Sequence, residues 1–280
     1  MTSPLCAEVV CQLTPRDRAL LRAVARFKAV RSQDLTPLFF SDVSRERCAQ
    51  RLRRLFDAGF LDVRFGRLSE PNVYSLGEAG RRWAREHGLE VSPVPRGDLS
   101  HHLVLVHLWS TLAARLGRNP SVRLSSFRPD WELRQSLGAM LPVIPDALIE
   151  LGVGGGSHRH RVALEVDLGT EHKSIWQSKL TDYAALLAES PALLDWEEFD
   201  LAVVLVGANP RRHRTISDLV TSLGPHSHWV LRSDEWPDAL IDNPPRKALS
   251  AGSSSSKKSP LDSSPTPALT SALEEEGPSE

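Results

Sequence analysis

Cysteine is scarce: Cys6, Cys11 and Cys48 are the only three in 280 residues. Their number and spacing exclude a disulfide framework and the paired ligands of a structural zinc site. A reducing, cytoplasmic setting is therefore expected. No apolar run approaches the ~20 residues that span a bilayer, so no membrane partner is expected. Met1 to Cys11 lacks a basic stretch ahead of its apolar residues and does not read as a secretory leader. Internal repeats are absent. A large net charge is missing too, the total being -1. That total hides an asymmetry, because Pro15 to Gly88 holds 16 Arg or Lys against 9 Asp or Glu, a net of +7. A basic first third points to a polyanionic partner.

Within that basic third, Thr14-Pro15-Arg16-Asp17 has the form of a helix start, with Thr as N-cap and Pro in the first turn. Leu20, Leu21, Val24 and Phe27 follow as an apolar stripe. A second helix fits Ser32 to Phe39. A third, capped by Ser44, runs from Arg45 to Ala58 and ends at Gly59. Phe60 to Phe65 and Asn72 to Leu76 alternate as two strands of a hairpin with Gly66 to Pro71 at its tip. A further helix fits Glu78 to Glu86. Three helices and a hairpin in this order predict a winged helix-turn-helix, whose third helix enters the major groove of double-stranded DNA. Arg45, Arg47, Arg51, Arg53 and Arg54 lie on that helix, while Cys48, Leu52 and Leu55 supply its buried stripe. Arg64 and Arg67 belong to the hairpin. A solvated arginine face on a protein-binding winged helix is the alternative.

Pro93, Pro95 and Gly97 mark residues 89–98 as a linker. A long helix from Leu99 to Leu116 carries His101, His102 and His107, which suit either core hydrogen bonds or metal ligation. Beyond it, strands are predicted near Val122 to Phe127, Leu201 to Val206 and His228 to Leu231, with helices at Glu171 to Glu189 and Arg211 to Leu223. After about Asn243 the chain turns to Ser, Pro, Gly and Lys, a composition that predicts disorder.

The most informative segments are Pro145-Asp146-Ala147 and Leu164-Glu165-Val166-Asp167-Leu168. They read as a hairpin in which Val162, Leu164, Val166 and Leu168 share one face and Glu165 and Asp167 the other. A symmetric loop places Asp146 opposite the acid pair. Three carboxylates on one sheet face repel one another unless a cation lies between them, so a divalent-metal site is expected, Mg²⁺ or Mn²⁺.

Pro145-Asp146 followed by Glu165-Val166-Asp167 resembles the PD-(D/E)xK nuclease core. That resemblance implies that the acids hold Mg²⁺, with Glu132 as an upstream acid. It also implies a lysine where this chain has Asp167, and Lys173 or, better, Lys179 on the following helix stands in for it. Lys179 and Tyr183 occupy the place of a Gln-x-x-x-Tyr signature. As a whole, Leu13 to Leu231 resembles the replication-relaxation proteins of plasmids and mobile elements. The resemblance rests on the winged helix, on Ser100-His101-His102-Leu103 and on the acidic hairpin with Lys179 and Tyr183.

An α/β (α+β) two-domain chain is thus expected. Its parts are an extension (1–13), a winged helix-turn-helix (14–88), a linker (89–98), a restriction-endonuclease-like mixed sheet flanked by helices (99–242) and a tail (243–280). Four readings stay open. One is a Mg²⁺-dependent endonuclease or nickase with Asp146, Glu165, Asp167, Lys179 and Tyr183 as catalytic residues. Another is a degenerate nuclease fold acting as a DNA-binding replication or mobilisation factor alongside other plasmid proteins. A third is a tyrosine relaxase using Tyr183 or Tyr74, with His158-Arg159-His160 as a metal motif in the hairpin loop. The last is a transcriptional repressor.

Overall fold

Thr14 starts the first helix, α1 (Pro15–Phe27), through a capping box. Its hydroxyl accepts from the Asp17 N–H at 3.2 Å, and the Asp17 carboxylate accepts from the Thr14 N–H at 2.7 Å. Both orphan donors of the first turn are thereby satisfied. The computed structural model describes residues 11–65, 70–94, 99–138, 141–153, 158–189, 200–207, 209–222 and 228–242. Arg67, most of the hairpin tip and the tail expected to be disordered lie outside the described residues. Among the described residues the chain is mixed α/β, with nine helices and two sheets. It divides into two units that part between Ser110 and Thr111.

In the first unit α1 is followed by β1 (Val30–Arg31), α2 (Ser32–Phe39), α3 (Arg45–Asp57), β2 (Leu61–Arg64), β3 (Val73–Leu76) and α4 (Glu78–Glu86). The strands form an antiparallel sheet in the order β1-β3-β2. Leu20, Leu21, Val24 and Phe27 of α1 are fully buried, as are Leu35, Leu55 and Leu61. Each such side chain contributes about 1.5–3 kcal/mol through its removal from water. Gly80 lets α4 seat against the start of β2: a Cβ there would lie 2.1 Å from the Phe60 carbonyl oxygen. Gly80→Ala is expected to cost about 2 kcal/mol by forcing backbone apart, read as a lowered thermal midpoint. A midpoint unchanged by this substitution would show that α4 seats differently.

The long helix α5 (Leu99–Leu116) spans the division. Its residues up to Ser110 belong to the first unit, where His102 donates to the Phe27 carbonyl at 2.7 Å and the Trp109 ring meets Phe27 at 4.0 Å between centroids. The boundary therefore falls inside a helix and not within 89–98. Proline and glycine mark a break in regular structure, but the apolar face of α5 decides which residues pack together. His107 donates to the buried Asp34 carboxylate at 2.6 Å, so two of the three histidines on this helix make structural hydrogen bonds.

The second unit continues with β4 (Val122–Pro129), α6 (Asp130–Leu137), β5 (Ala147–Val153), β6 (His158–Asp167), α7 (Lys173–Glu189), β7 (Asp200–Leu205), α8 (Pro210–Thr221), β8 (His228–Arg232) and α9 (Asp238–Asp242). Its five strands lie in sequence order. β4, β5 and β6 pair antiparallel; β6, β7 and β8 pair parallel. Parallel neighbours need crossovers, and α7 and α8 provide them. Trp176, Leu180 and Tyr183 of α7 join Ile216 and Val220 of α8 in one cluster with Leu148, Ala163, Leu201, Val203 and Leu205.

The strand that carries the acids is buried on both faces. From Val162 to Asp167 every residue of β6 is buried, because helices cover the face that carries the acids. The strand also begins at His158, with His160 paired to Leu151, so the His158-Arg159-His160 motif is strand and not loop.

Candidate functional site

The register of the β5–β6 pair pairs Ala147 with Leu164. One step further, Asp146 faces Glu165 from just before β5. Its carbonyl accepts from the Asp130 N–H at 2.9 Å, tying it to the start of α6, and its Oδ2 accepts from the Val166 N–H at 2.7 Å. Asp146 is half-buried, whereas Glu165 is 1% exposed. Burial first, then the Asp146 charge, push the Glu165 carboxyl up to about 7, against the pull of Lys179 and Tyr183. This is the behaviour of two carboxylates sharing one site.

Helix α7 supplies the compensating groups, because Lys179 and Tyr183 are four residues apart on the face turned to β6. Lys179 Nζ lies 3.0 Å from Glu165 Oε2 and 2.9 Å from Glu171 Oε1, and 5.2 Å from the centre of the Trp176 ring. Burial lowers the proton affinity of this ammonium, but the Glu165 charge and the hydrogen bonds to Glu171 and Glu165 outweigh it and raise that affinity. Tyr183 donates to Glu165 Oε1 at 2.6 Å, and burial raises its hydroxyl well above its ordinary value. A hydroxyl so placed is a hydrogen-bond donor to a carboxylate and a poor nucleophile, which counts against the tyrosine-relaxase reading. Tyr74, its other candidate, is buried on β3 in the first unit.

Asp167 does not join the pair. Both of its oxygens are held by Arg212 of α8, Nε to Oδ2 and Nη2 to Oδ1, each at 2.7 Å. Arg212 is placed there by the Asn209 cap, whose side chain accepts from the Arg211 and Arg212 N–H groups at 3.1 Å. The three-acid cluster expected from alternation is thereby corrected. Among the described residues no group of three or more His, Cys, Asp or Glu that could hold a metal ion is found. Alternation told which face the acids share but not that an arginine 45 residues downstream would reach one of them. Glu132 lies on α6, two residues beyond the Asp130 bonded to Asp146, and Lys173 is exposed at the start of α7.

The sequence reading missed Arg212 and Glu171. The available signal for the first was the unbroken basic run Arg211-Arg212-His213-Arg214 after the helix start Asn209-Pro210.

In the first unit, Arg47, Arg54 and Arg64 are exposed and make no ion pair with a described residue, and Arg45 is exposed beside Glu46. Arg53 is tied to Asp57 at 2.8 Å. Arg51 is different in kind. It donates to both oxygens of the buried Asp17 and to the Gln12 carbonyl. It thus braces α3 against the start of α1, so this arginine of the expected DNA-contacting set is held by internal partners. Phe65, at the end of β2, is 68% exposed.

Among the described residues no helix is long and apolar enough to cross a membrane. Comparison with curated proteins and with solved structures finds no match. The replication-relaxation family model matches residues 21–193, from α1 through the Asp146, Glu165, Lys179 and Tyr183 constellation and ending before α8. With well over half of its residues inside that match, the chain belongs to the replication-relaxation family.

Proposed function

We propose that this is a DNA-binding protein of plasmid or mobile-element replication. In this reading the first unit is a winged helix that grips duplex DNA, and the second is a nuclease-like domain that nicks DNA with Mg²⁺ or Mn²⁺. The observation that carries the catalytic part is the juxtaposition of Asp146, Glu165 and Lys179. Two facing carboxylates, the charge of Asp146 raising the proton affinity of Glu165, are a natural seat for a hard divalent cation. The lysine that the nuclease pattern places at position 167 is supplied from α7, 3.0 Å from Glu165. Asp167 does not fit as a ligand, since Arg212 occupies both its oxygens. Asp146 and Glu165 would therefore hold the ion, Glu165 exchanging its Oε2 contact with Lys179 to do so while Oε1 keeps its bond from Tyr183. A divalent ion held there would supply polarisation of a phosphodiester and a lowered pKa for an attacking water. Lys179, released from Glu165 and still paired with Glu171, is placed to stabilise negative charge developing on phosphate oxygens. Tyr183 keeps the Glu165 side chain in its rotamer.

Conversion of supercoiled plasmid to open circle by the purified full chain with Mg²⁺ or Mn²⁺ tests this reading. Retention of supercoiled plasmid that is demonstrably bound sinks it. A second reading has an observation of its own: two acids of the site are already compensated from within the chain, Glu165 by Lys179 and Asp167 by Arg212. That closed arrangement suits a nuclease fold that binds DNA without cutting it. Calorimetry discriminates, because saturable Mn²⁺ binding that vanishes in Asp146→Asn requires a working site.

The DNA interface carries its own prediction. Arg47→Ala and Arg54→Ala are expected each to lower the slope of log affinity against log salt by about 0.9 with little change in thermal midpoint. Arg51→Ala is expected to do the reverse, losing about 2 kcal/mol of stability by leaving Asp17 buried without its partner. Equal salt slopes in wild type, Arg47→Ala and Arg54→Ala would place the DNA elsewhere.

A further inference from the structure

The Asp167–Arg212 pair lies beside the acids of the proposed site, yet the reading above gives it no task. An isolated buried ion pair is a poor stabiliser, because desolvation offsets its attraction. This pair has a geometry that suggests more. Asp167 sits at the last position of β6 with its side chain fully buried, while the Arg212 side chain is 17% exposed. Of the five N–H donors on a guanidinium, Asp167 takes one from Nε and one from Nη2, leaving three. Nη1 makes no bond to a described residue and is not among the buried unpartnered atoms, so it is open to solvent. A fork held rigidly along one edge, with its other edge exposed, is preorganised to receive a phosphate. The surroundings agree in charge. The first turn of α8 bears no acid, and Arg211 and Arg214 are exposed on either side. Glu171, whose charge Arg212 feels, is the same residue that holds Lys179, so the two cations border one acidic centre.

We propose that Arg212 is a DNA-phosphate contact of the second unit and that Asp167 is the positioning residue that aims it. The motif position at which the nuclease pattern has a lysine then keeps a cation, delivered by α8 and anchored by the very aspartate that replaced the lysine. This inference rests on the reading that the second unit handles DNA, but not on its cutting DNA.

The test is therefore a binding measurement without catalysis. Affinities of the full chain for two duplex oligonucleotides of unrelated sequence are measured in EDTA from 50 to 300 mM salt. The variants are Arg212→Ala, Arg212→Lys, the neutral pair Asp167→Asn with Arg212→Gln, and Arg118→Ala, an exposed arginine at the opposite end of the sheet. Arg212→Ala is expected to lower the salt slope by about 0.9 and to weaken both sequences by a similar factor. Arg212→Lys and Arg118→Ala are expected to keep the wild-type slope. If Arg212→Ala proves unfolded by its thermal melt, the neutral pair carries the same expectation, since it retains buried hydrogen bonding and removes the charge. A wild-type slope in Arg212→Ala and the neutral pair overturns the inference and leaves Arg212 as a counter-charge alone. An equal loss in Arg118→Ala or in Arg212→Lys overturns it as well. Absence of nicking by the wild type would sink the endonuclease reading while leaving these slopes to decide the role of Arg212.

Discussion

Asp146→Asn is expected to reduce Mn²⁺-dependent nicking about 10³-fold while leaving duplex affinity in EDTA unchanged. The size follows from losing one anionic ligand of a cation that stabilises transition-state charge, an effect of several kcal/mol, at about 1.4 kcal/mol per tenfold in rate. The substitution is conservative in shape. An asparagine oxygen can still accept from the Val166 N–H that now bonds Asp146 at 2.7 Å, so the end of β5 need not move. The first unit, with its exposed Arg47 and Arg54, is untouched, which is why binding and cutting should separate. Nicking at the wild-type rate in Asp146→Asn would place the chemistry at some other pair of acids.

The second large effect is a pH dependence of stability carried by Glu165. Its carboxyl is raised from 4.5 to about 7 by burial and by Asp146. Between those values the folded chain holds a proton that the unfolded chain has released. Stability contributed by Glu165 is therefore fully present below its ordinary pKa, declines as pH rises through about 7 and is flat above. At about 1.4 kcal/mol per unit the difference across the window is on the order of 3 kcal/mol. Glu165→Gln, neutral throughout and still able to accept from Tyr183, should lack this dependence. His160 acts in the opposite sense: burial lowers its ring to about 4, so its contribution is lost as pH falls. The informative quantity is thus the wild-type minus Glu165→Gln difference in unfolding free energy from pH 5 to 8. A flat difference would mean that Glu165 stays ionised beside Lys179 throughout.

The outcome for each residue shows where sequence reasoning reaches and where it stops. Local rules performed well because they depend on neighbours within a turn or two of chain. Thr14 and Ser44 cap the helices they precede, Gly59 follows α3 with a positive φ of 72°, and α2, α4 and α5 begin and end where expected. Period-two alternation placed Glu165 and Asp167 on one face of a strand, and loop symmetry set Asp146 opposite that pair, which the register narrows to Glu165. Helical spacing put Lys179 and Tyr183 together. Burial of that face was not legible, since alternation with carboxylates imitates a solvent-facing strand. The division of contacts inside α5 was not legible either, because Pro93, Pro95 and Gly97 report a local break and not which surface α5 covers.

The sequence by itself determined the basic character of the first third and the placing of Asp146 opposite the acid pair, because each follows from short-range periodicity and composition, while the nuclease resemblance implied Lys179. Only the tertiary structure decided which charges pair. Glu165 is buried beneath Lys179 and Tyr183, Asp167 is claimed by Arg212 and Arg51 by Asp17. Those choices depend on contacts between residues far apart in the chain, where low local dielectric makes the nearest partner the decisive one.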